Sequence, residues 1–163
     1  MAMEKNMRRR SILGLALVFA ATFGLTPVRP RDAQAASATN VLAGGGIAIH
    51  GYDPVAYFVE GGPRKGRAEL ALDHGGARWL FASEANRERF RAEPEKYLPA
   101  YGGYCAYGVA QGYLVKIDPE AWAIVNGRLY LNYDRSVART WRKDVPGYVA
   151  KADANWPSLV AKP

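Results

Sequence analysis

The chain has 163 residues, a formal net charge of +7 and a single cysteine, Cys105. Residues 1–35 contain six Lys/Arg and two Asp/Glu, a net of +4, so only +3 belongs to residues 36–163, where the basic residues are scattered. This charge gives no reason to expect a nucleic-acid partner, and one cysteine excludes an internal disulfide.

The first 35 residues have the organisation of a signal peptide. A basic segment ending in Arg9 and Arg10 precedes an apolar run, Ile12 to Leu25, that is too short and too interrupted by glycine to span a bilayer. A small-x-small cleavage site ends at Ala35. The paired arginines, followed after one residue by two apolar ones, are similar to a twin-arginine translocation signal. We therefore expect cleavage near Ala35 and a periplasmic mature protein that has no membrane span.

The folded domain is expected over residues 47–163, after a flexible tether of small and polar residues at 36–46. Ile47 to Ile49 is interpreted as a short strand. Alternating apolar and polar residues on both sides of a turn predict two β-hairpins, over residues 70–81 and 122–131. The second turn is Asn126-Gly127, which favours a two-residue hairpin because both positions readily adopt positive φ.

Capping residues and prolines predict the helices. Ser83 and Asp134 are interpreted as N-caps, the second helix is expected to end at Pro146, and a last helix is expected to end before Pro157. We recognise no internal repeat in the sequence. This order of elements indicates an α+β domain, in which a small antiparallel sheet of hairpins packs with short helices.

Cys105 is the best chemical lead. It follows two glycines, stands among tyrosines, and precedes an apolar stretch, Ala106 to Ala110, that predicts a short helix ending at Gly112. A thiol at the start of a helix and facing a cleft is expected to have a lowered pKa. The alternative is that Cys105 is a small buried core residue, unreactive and with a raised pKa.

Several motifs resemble the YHS domain, a short module related to the TRASH group of metal-binding modules. The resemblance extends over about residues 47–112, and the later segments are similar to the exported bacterial single-domain branch of the family. It implies association with heavy metals. The motifs are Asp53-Pro54-Val55, His74-x-Gly76-x-x-Trp79-x-Phe81-x-Ser83, and then Phe90, Pro94 and Tyr97.

The chain departs from the metal-binding members of this family at three positions. Those members carry cysteines where this chain has Ala56, Ala82 and Asn86. One sulfur cannot form a closed tetrahedral thiolate site, so the family's metal role does not transfer by position. The remaining candidate ligands are Cys105 and His50, which would help to bind copper or zinc if the fold brought them together with further ligands.

The tyrosines offer a different kind of site. Tyr52 and Tyr104, with Asp53 and Cys105, are candidates for a small-ligand or partner surface, since tyrosine combines an apolar body with a polar tip; ordinary core packing is the alternative. No thiol-hydrolase signature accompanies Cys105. The sequence favours a small periplasmic binding module linked to metal or redox homeostasis. The competing hypotheses are a thiol-dependent enzyme, in which Cys105 acts with His50 or Asp53, and a purely structural partner-binding module.

Overall fold

The computed structural model describes residues 46–161, so the predicted signal peptide and nearly all of the predicted tether lie outside the described residues. The strands are β1 (Arg67–His74), β2 (Ala77–Phe81), β3 (Asp118–Val125) and β4 (Arg128–Asn132). The helices are α1 (Ala56–Val59), α2 (Glu84–Ala92), α3 (Pro94–Tyr97), α4 (Ala106–Ala110), α5 (Arg135–Trp141) and α6 (Val145–Val160). Short 3₁₀ turns occupy Ala48–Gly51, Ala100–Gly103 and Arg142–Asp144. Among residues 46–161, no helix combines the length and the apolar character needed to cross a membrane.

The two predicted hairpins are present, and with the helices they confirm the α+β class. β1 pairs with β2 and β3 pairs with β4, each as a separate two-stranded antiparallel sheet. The second turn has φ of 50° at Asn126 and 74° at Gly127, the left-handed conformation that these residues adopt at little cost.

The two predicted N-caps are also confirmed. Ser83 Oγ accepts a hydrogen bond from Asn86 N at 3.1 Å, and Asp134 Oδ1 accepts one from Val137 N at 2.7 Å. The helix ends predicted at Pro146 and before Pro157 were wrong, since α5 already ends at Trp141. Pro146 lies in the first turn of α6. Backbone N–H groups in the first turn have no acceptor within the helix, so proline at this position removes no helical hydrogen bond. The same helix continues through Pro157 to Val160, and it buries Leu159 beyond the proline.

The predicted strand at Ile47 to Ile49 is a turn. Ile49 and His50 have φ of 39° and 56°, and Ile47 makes only an isolated bridge to Arg78. The turn buries Ile49 against Gly103, whose position leaves no room for a side chain: a Cβ there would lie 2.9 Å from Ile49 Cγ2. Burial of this isoleucine is therefore favoured over pairing as a strand, despite the backbone strain.

The chain contains an internal structural repeat that was not recognised in the sequence. Residues 48–92, the first half, and residues 100–141, the second half, share one order of elements: a 3₁₀ turn, a short helix, a hairpin and a capped helix. Each hairpin has a register shift near its start, between Arg67 and Ala71 in β1 and between Asp118 and Trp122 in β3. The two halves therefore place corresponding residues in corresponding environments.

Two hydrogen bonds at the end of each 3₁₀ turn correspond between the halves. Tyr52 N donates to Ile49 O at 3.2 Å in the first half, and Tyr104 N donates to Tyr101 O at 3.0 Å in the second. Asp53 N then donates to Arg64 O at 2.8 Å, and Cys105 N donates to Val115 O at 3.2 Å. Both acceptors lie just before the hairpin of their half. Cys105 is thus the structural counterpart of Asp53.

Two buried clusters form the core. The first contains Trp79, Phe81 and Phe90 and also encloses Cys105. The second is built around Tyr101 and contains these further residues: Ala100, Ala106, Val109, Ala110, Tyr130, Trp141, Ala152 and Leu159. The first cluster draws residues from both halves, whereas the second draws only on the second half and α6.

Candidate functional site

Asp53 is fully buried and accepts four hydrogen bonds. Its Oδ1 accepts the N–H groups of Val55, at 2.8 Å, and Ala56, at 3.3 Å. Its Oδ2 accepts Ala82 N and Asn86 Nδ2, both at 2.8 Å. The carboxyl group thereby joins the start of α1 to the end of β2 and the first turn of α2.

The three positions at which metal-binding relatives are expected to carry cysteine converge on this carboxyl group. Ala56 and Ala82 meet it with their backbone N–H groups, and Asn86 meets it with its side-chain amide. Glu60 Oε1 also accepts from Asn86 Nδ2, at 3.2 Å, and Asn86 Oδ1 accepts from Arg89. A hydrogen-bond network within the protein therefore occupies the place where thiolates would converge on a metal.

Cys105 occupies the corresponding place in the second half. It is the N-cap residue of α4, and its Sγ accepts the N–H groups of Gly108, at 3.4 Å, and Tyr133, at 3.2 Å. These donors correspond to Ala56 and Ala82 around Asp53. The thiol also lies 3.8 Å from Asn132 Oδ1, which can accept its proton.

The thiolate expected from a helix N-terminus is not favoured here. Cys105 is only 1% exposed, and burial raises the pKa of its thiol although hydrogen bonds from Gly108, Tyr133 and Tyr107 oppose this effect. The helix has five residues, so its dipole is short. The alternative expectation, a buried thiol of raised pKa, is the one that the structure supports.

A cavity of about 250 Å³ adjoins the Cys105 sulfur. Tyr113 and Tyr133 are 49% and 43% exposed, and they form its outer rim. Its lining is almost entirely apolar or aromatic and contains Cys105, Tyr107, Gly108, Tyr113, Val115, Tyr133 and Val137. A small molecule entering this cavity would contact the tyrosine rings first and the thiol at its inner end.

The structure does not bring His50 to Cys105. His50 lines a different cavity, of about 380 Å³, with Gly51, Lys65 and other residues, and Lys65 Nζ donates to His50 O at 3.0 Å. His74 packs edge-on against Phe90. Within residues 46–161, no group of three or more His, Cys, Asp or Glu side chains is placed to bind one metal ion.

The two candidate tyrosines also lie away from the cavity at Cys105. Tyr52 is half-buried with Lys65 Nζ 4.5 Å from its ring centre, and Tyr104 is half-buried beside the second core cluster. The prediction from sequence missed Tyr133 and Val137, which line this cavity. Those two come from the end of the second hairpin and from α5, and only the undetected repeat could have pointed to them.

Comparison with known proteins identifies the first half. A family model described as the YHS domain matches residues 55–101, which include Ala56, Ala82 and Asn86 but not Cys105. The match to this family model suggests a metal-associated module. No curated protein and no solved structure shows significant similarity to the chain.

Proposed function

Because residues 55–101 form a YHS domain in which Ala56, Ala82 and Asn86 surround a buried Asp53, we propose that this protein is a small binding module with its ligand site in the second half. The single observation that carries the proposal is the cavity of about 250 Å³ at Cys105. In this interpretation the first half is a scaffold, and the cavity binds a small, largely apolar molecule.

The size and lining of the cavity support such a ligand. An apolar cavity of about 150 Å³ is enough to bind benzene in another protein, so 250 Å³ accommodates a substituted aromatic ring. Tyrosine rings provide large contact areas and favour edge or offset contacts with a second ring. Binding sites for small molecules commonly combine an apolar wall with a few polar groups, here the Cys105 thiol and its hydrogen-bonding partners.

The same observations argue against a closed copper or zinc site and against thiol catalysis. A metal site of nitrogen and sulfur ligands requires Cys105 and histidine side chains to meet, and His50 lines another cavity. A nucleophilic thiol requires a nearby base or a lowered pKa, and burial raises the pKa of Cys105. We therefore propose that any link to metal or redox homeostasis is made through the bound molecule or a partner.

We also propose that the module acts in the periplasm. The signal-like organisation of residues 1–35 supports this proposal, with the paired Arg9 and Arg10 and the cleavage site at Ala35. A domain that needs no disulfide suits a route that carries already folded proteins.

Titration with toluene, followed by the backbone amide signals of the purified protein, tests the binding site. We expect saturable shifts at Gly108 and Tyr133, whose N–H groups contact the Cys105 sulfur. Val137→Phe should fill the cavity and abolish these shifts. Val59→Phe is the matched control, because Val59 is 46% exposed and does not line the cavity.

Two results would contradict the proposal. Toluene that leaves the Gly108 and Tyr133 signals unchanged would show that the cavity does not bind an apolar ring. Stoichiometric copper(I) or zinc, lost in Cys105→Ser and weakened in His50→Ala, would establish the metal function in its place.

A further inference from the structure

The 3₁₀ turn of the first half holds a histidine where the turn of the second half holds a glycine. His50 has φ of 56° and ψ of 26°, and Gly102, at the corresponding position, has φ of 59° and ψ of 20°. Histidine enters this left-handed region at a smaller cost than most residues, but at a larger cost than glycine. The first half therefore builds the same backbone with the more strained residue.

Burial does not account for His50. Ile49 and Tyr101 are the other non-glycine residues of the two turns with a left-handed backbone, and they are 1% and 2% exposed, so core packing offsets their strain. His50 is exposed to solvent and takes no part in either core cluster. A strained residue that the core does not require is a candidate for a functional role.

His50 and Lys65 line one cavity of about 380 Å³, and the other residues of its lining carry no charge. Two contacts position the ammonium group of Lys65. Its Nζ donates to His50 O at 3.0 Å and lies 4.5 Å from the centre of the Tyr52 ring. An ammonium group has three N–H donors, and the carbonyl oxygen takes one of them, so donors remain for a ligand.

Backbone contacts hold the two segments of this cavity together. Gly66 N donates to Gly51 O at 2.9 Å, next to His50 and Lys65 in the sequence. A Cβ on Gly66 would lie 2.4 Å from the backbone carbon of Leu80, so this glycine allows the segment to approach β2 closely. The imidazole and the ammonium group are thus carried by backbone that is already fixed, which lowers the cost of binding.

No carboxylate neutralises Lys65 within the part of the chain that the structure describes. The acidic residues nearest to the cavity along the chain are engaged elsewhere. Asp53 is buried and accepts four hydrogen bonds, and Glu60 and Glu69 each pair with an arginine. The charge at the cavity is therefore positive and favours an anion.

We infer that the cavity at His50 and Lys65 binds a phosphate group. Lys65 supplies the positive charge and charge-assisted hydrogen bonds, and the imidazole of His50 supplies a further N–H donor. No arginine lines the cavity, so it lacks the planar pair of donors that matches a carboxylate, whereas lysine binds phosphate as a point charge. The cavity at Cys105 shares no lining residue with this one, so the inference is independent of the proposed function.

Titration with inorganic phosphate, followed by the backbone amide signals of Gly51 and Gly66, tests the site. Acetate at the same ionic strength is the comparison. We expect saturable shifts with phosphate and about tenfold weaker binding of acetate, because phosphate carries more negative charge and accepts an additional charge-assisted hydrogen bond.

His50→Gly gives the first turn the residue that the second turn has. We expect this variant to keep the wild-type urea midpoint or exceed it, and to bind phosphate about fivefold more weakly, since one hydrogen bond of ordinary strength is lost. Lys65→Gln should weaken phosphate binding about tenfold or more. Lys96→Gln is the matched control, because it removes the same charge from α3 and Lys96 does not line the cavity.

Three results would overturn the inference. Phosphate that shifts the two glycine signals no more than acetate does would show that the cavity has no phosphate site. A lower urea midpoint in His50→Gly would show that the side chain serves the fold. Equal weakening by Lys65→Gln and Lys96→Gln would show that only the net charge of the protein attracts phosphate. His50→Gly keeps the test decisive if Lys65→Gln disturbs the turn.

Discussion

Replacing Asp53 by alanine tests how far the fold depends on the hydrogen-bond network that joins Asp53 to Ala56, Ala82 and Asn86. The substitution leaves four donors without their acceptor: the N–H groups of Val55, Ala56 and Ala82, and Asn86 Nδ2. Each buried donor left unsatisfied costs about 1–3 kcal/mol, and water entering the vacated space recovers part of the total. We therefore expect Asp53→Ala to lower the free energy of unfolding by about 3–5 kcal/mol, a large share of the stability of a typical domain.

Urea unfolding followed by tryptophan fluorescence measures this loss, and Cys105→Ala is the internal comparison. The Cys105 sulfur is a weak acceptor that receives only two N–H groups, and it adjoins a cavity, so its removal should cost only about 1–2 kcal/mol. A loss below 1 kcal/mol for Asp53→Ala, or equal losses for the two variants, would refute the reasoning that Asp53 is the structural acceptor and Cys105 is not.

Three further predictions follow from burial and from the sequence signals. Trp79 is 1% exposed, so Trp79→Ala should lower the free energy of unfolding in urea by about 3–5 kcal/mol. Trp122 is half-buried, so Trp122→Ala should lower it clearly less, and the reverse order would contradict the assignment of the core. Alkylation of Cys105 should be slow at neutral pH and fast only after unfolding. Because burial raises its folded pKa, its contribution to stability is complete below the unfolded pKa of about 8.5 and is lost as pH rises towards the folded value. A reactive thiol at pH 7 would contradict this. The intact mass of the periplasmic protein should lack residues 1–35, and a mature mass that retains this segment would refute cleavage. Replacing both Arg9 and Arg10 by lysine should block export if the route is twin-arginine.

Local signals predicted most of the secondary structure. Period-two alternation on both sides of a glycine turn fixed the hairpins, and Ser83 and Asp134 fixed two helix starts, because these preferences depend on neighbouring residues. The same local reasoning failed at Ile49 and Pro157. At those positions, packing against Gly103 and burial of Leu159 override the preferences of the backbone.

The sequence by itself determined the similarity of residues 55–101 to the YHS domain, the α+β class and the lack of cysteine at Ala56, Ala82 and Asn86. It singled out Cys105 but could not determine whether its sulfur is exposed, because burial depends on segments distant along the chain. Tertiary structure alone decided that the three substituted positions meet at Asp53, that His50 and Cys105 line different cavities, and that Tyr133 and Val137 lie beside the sulfur. The physical reason is that hydrogen bonds and burial join residues that the fold brings together. The repeat was equally hidden, since it preserves backbone geometry and hydrogen-bond positions while most side chains differ.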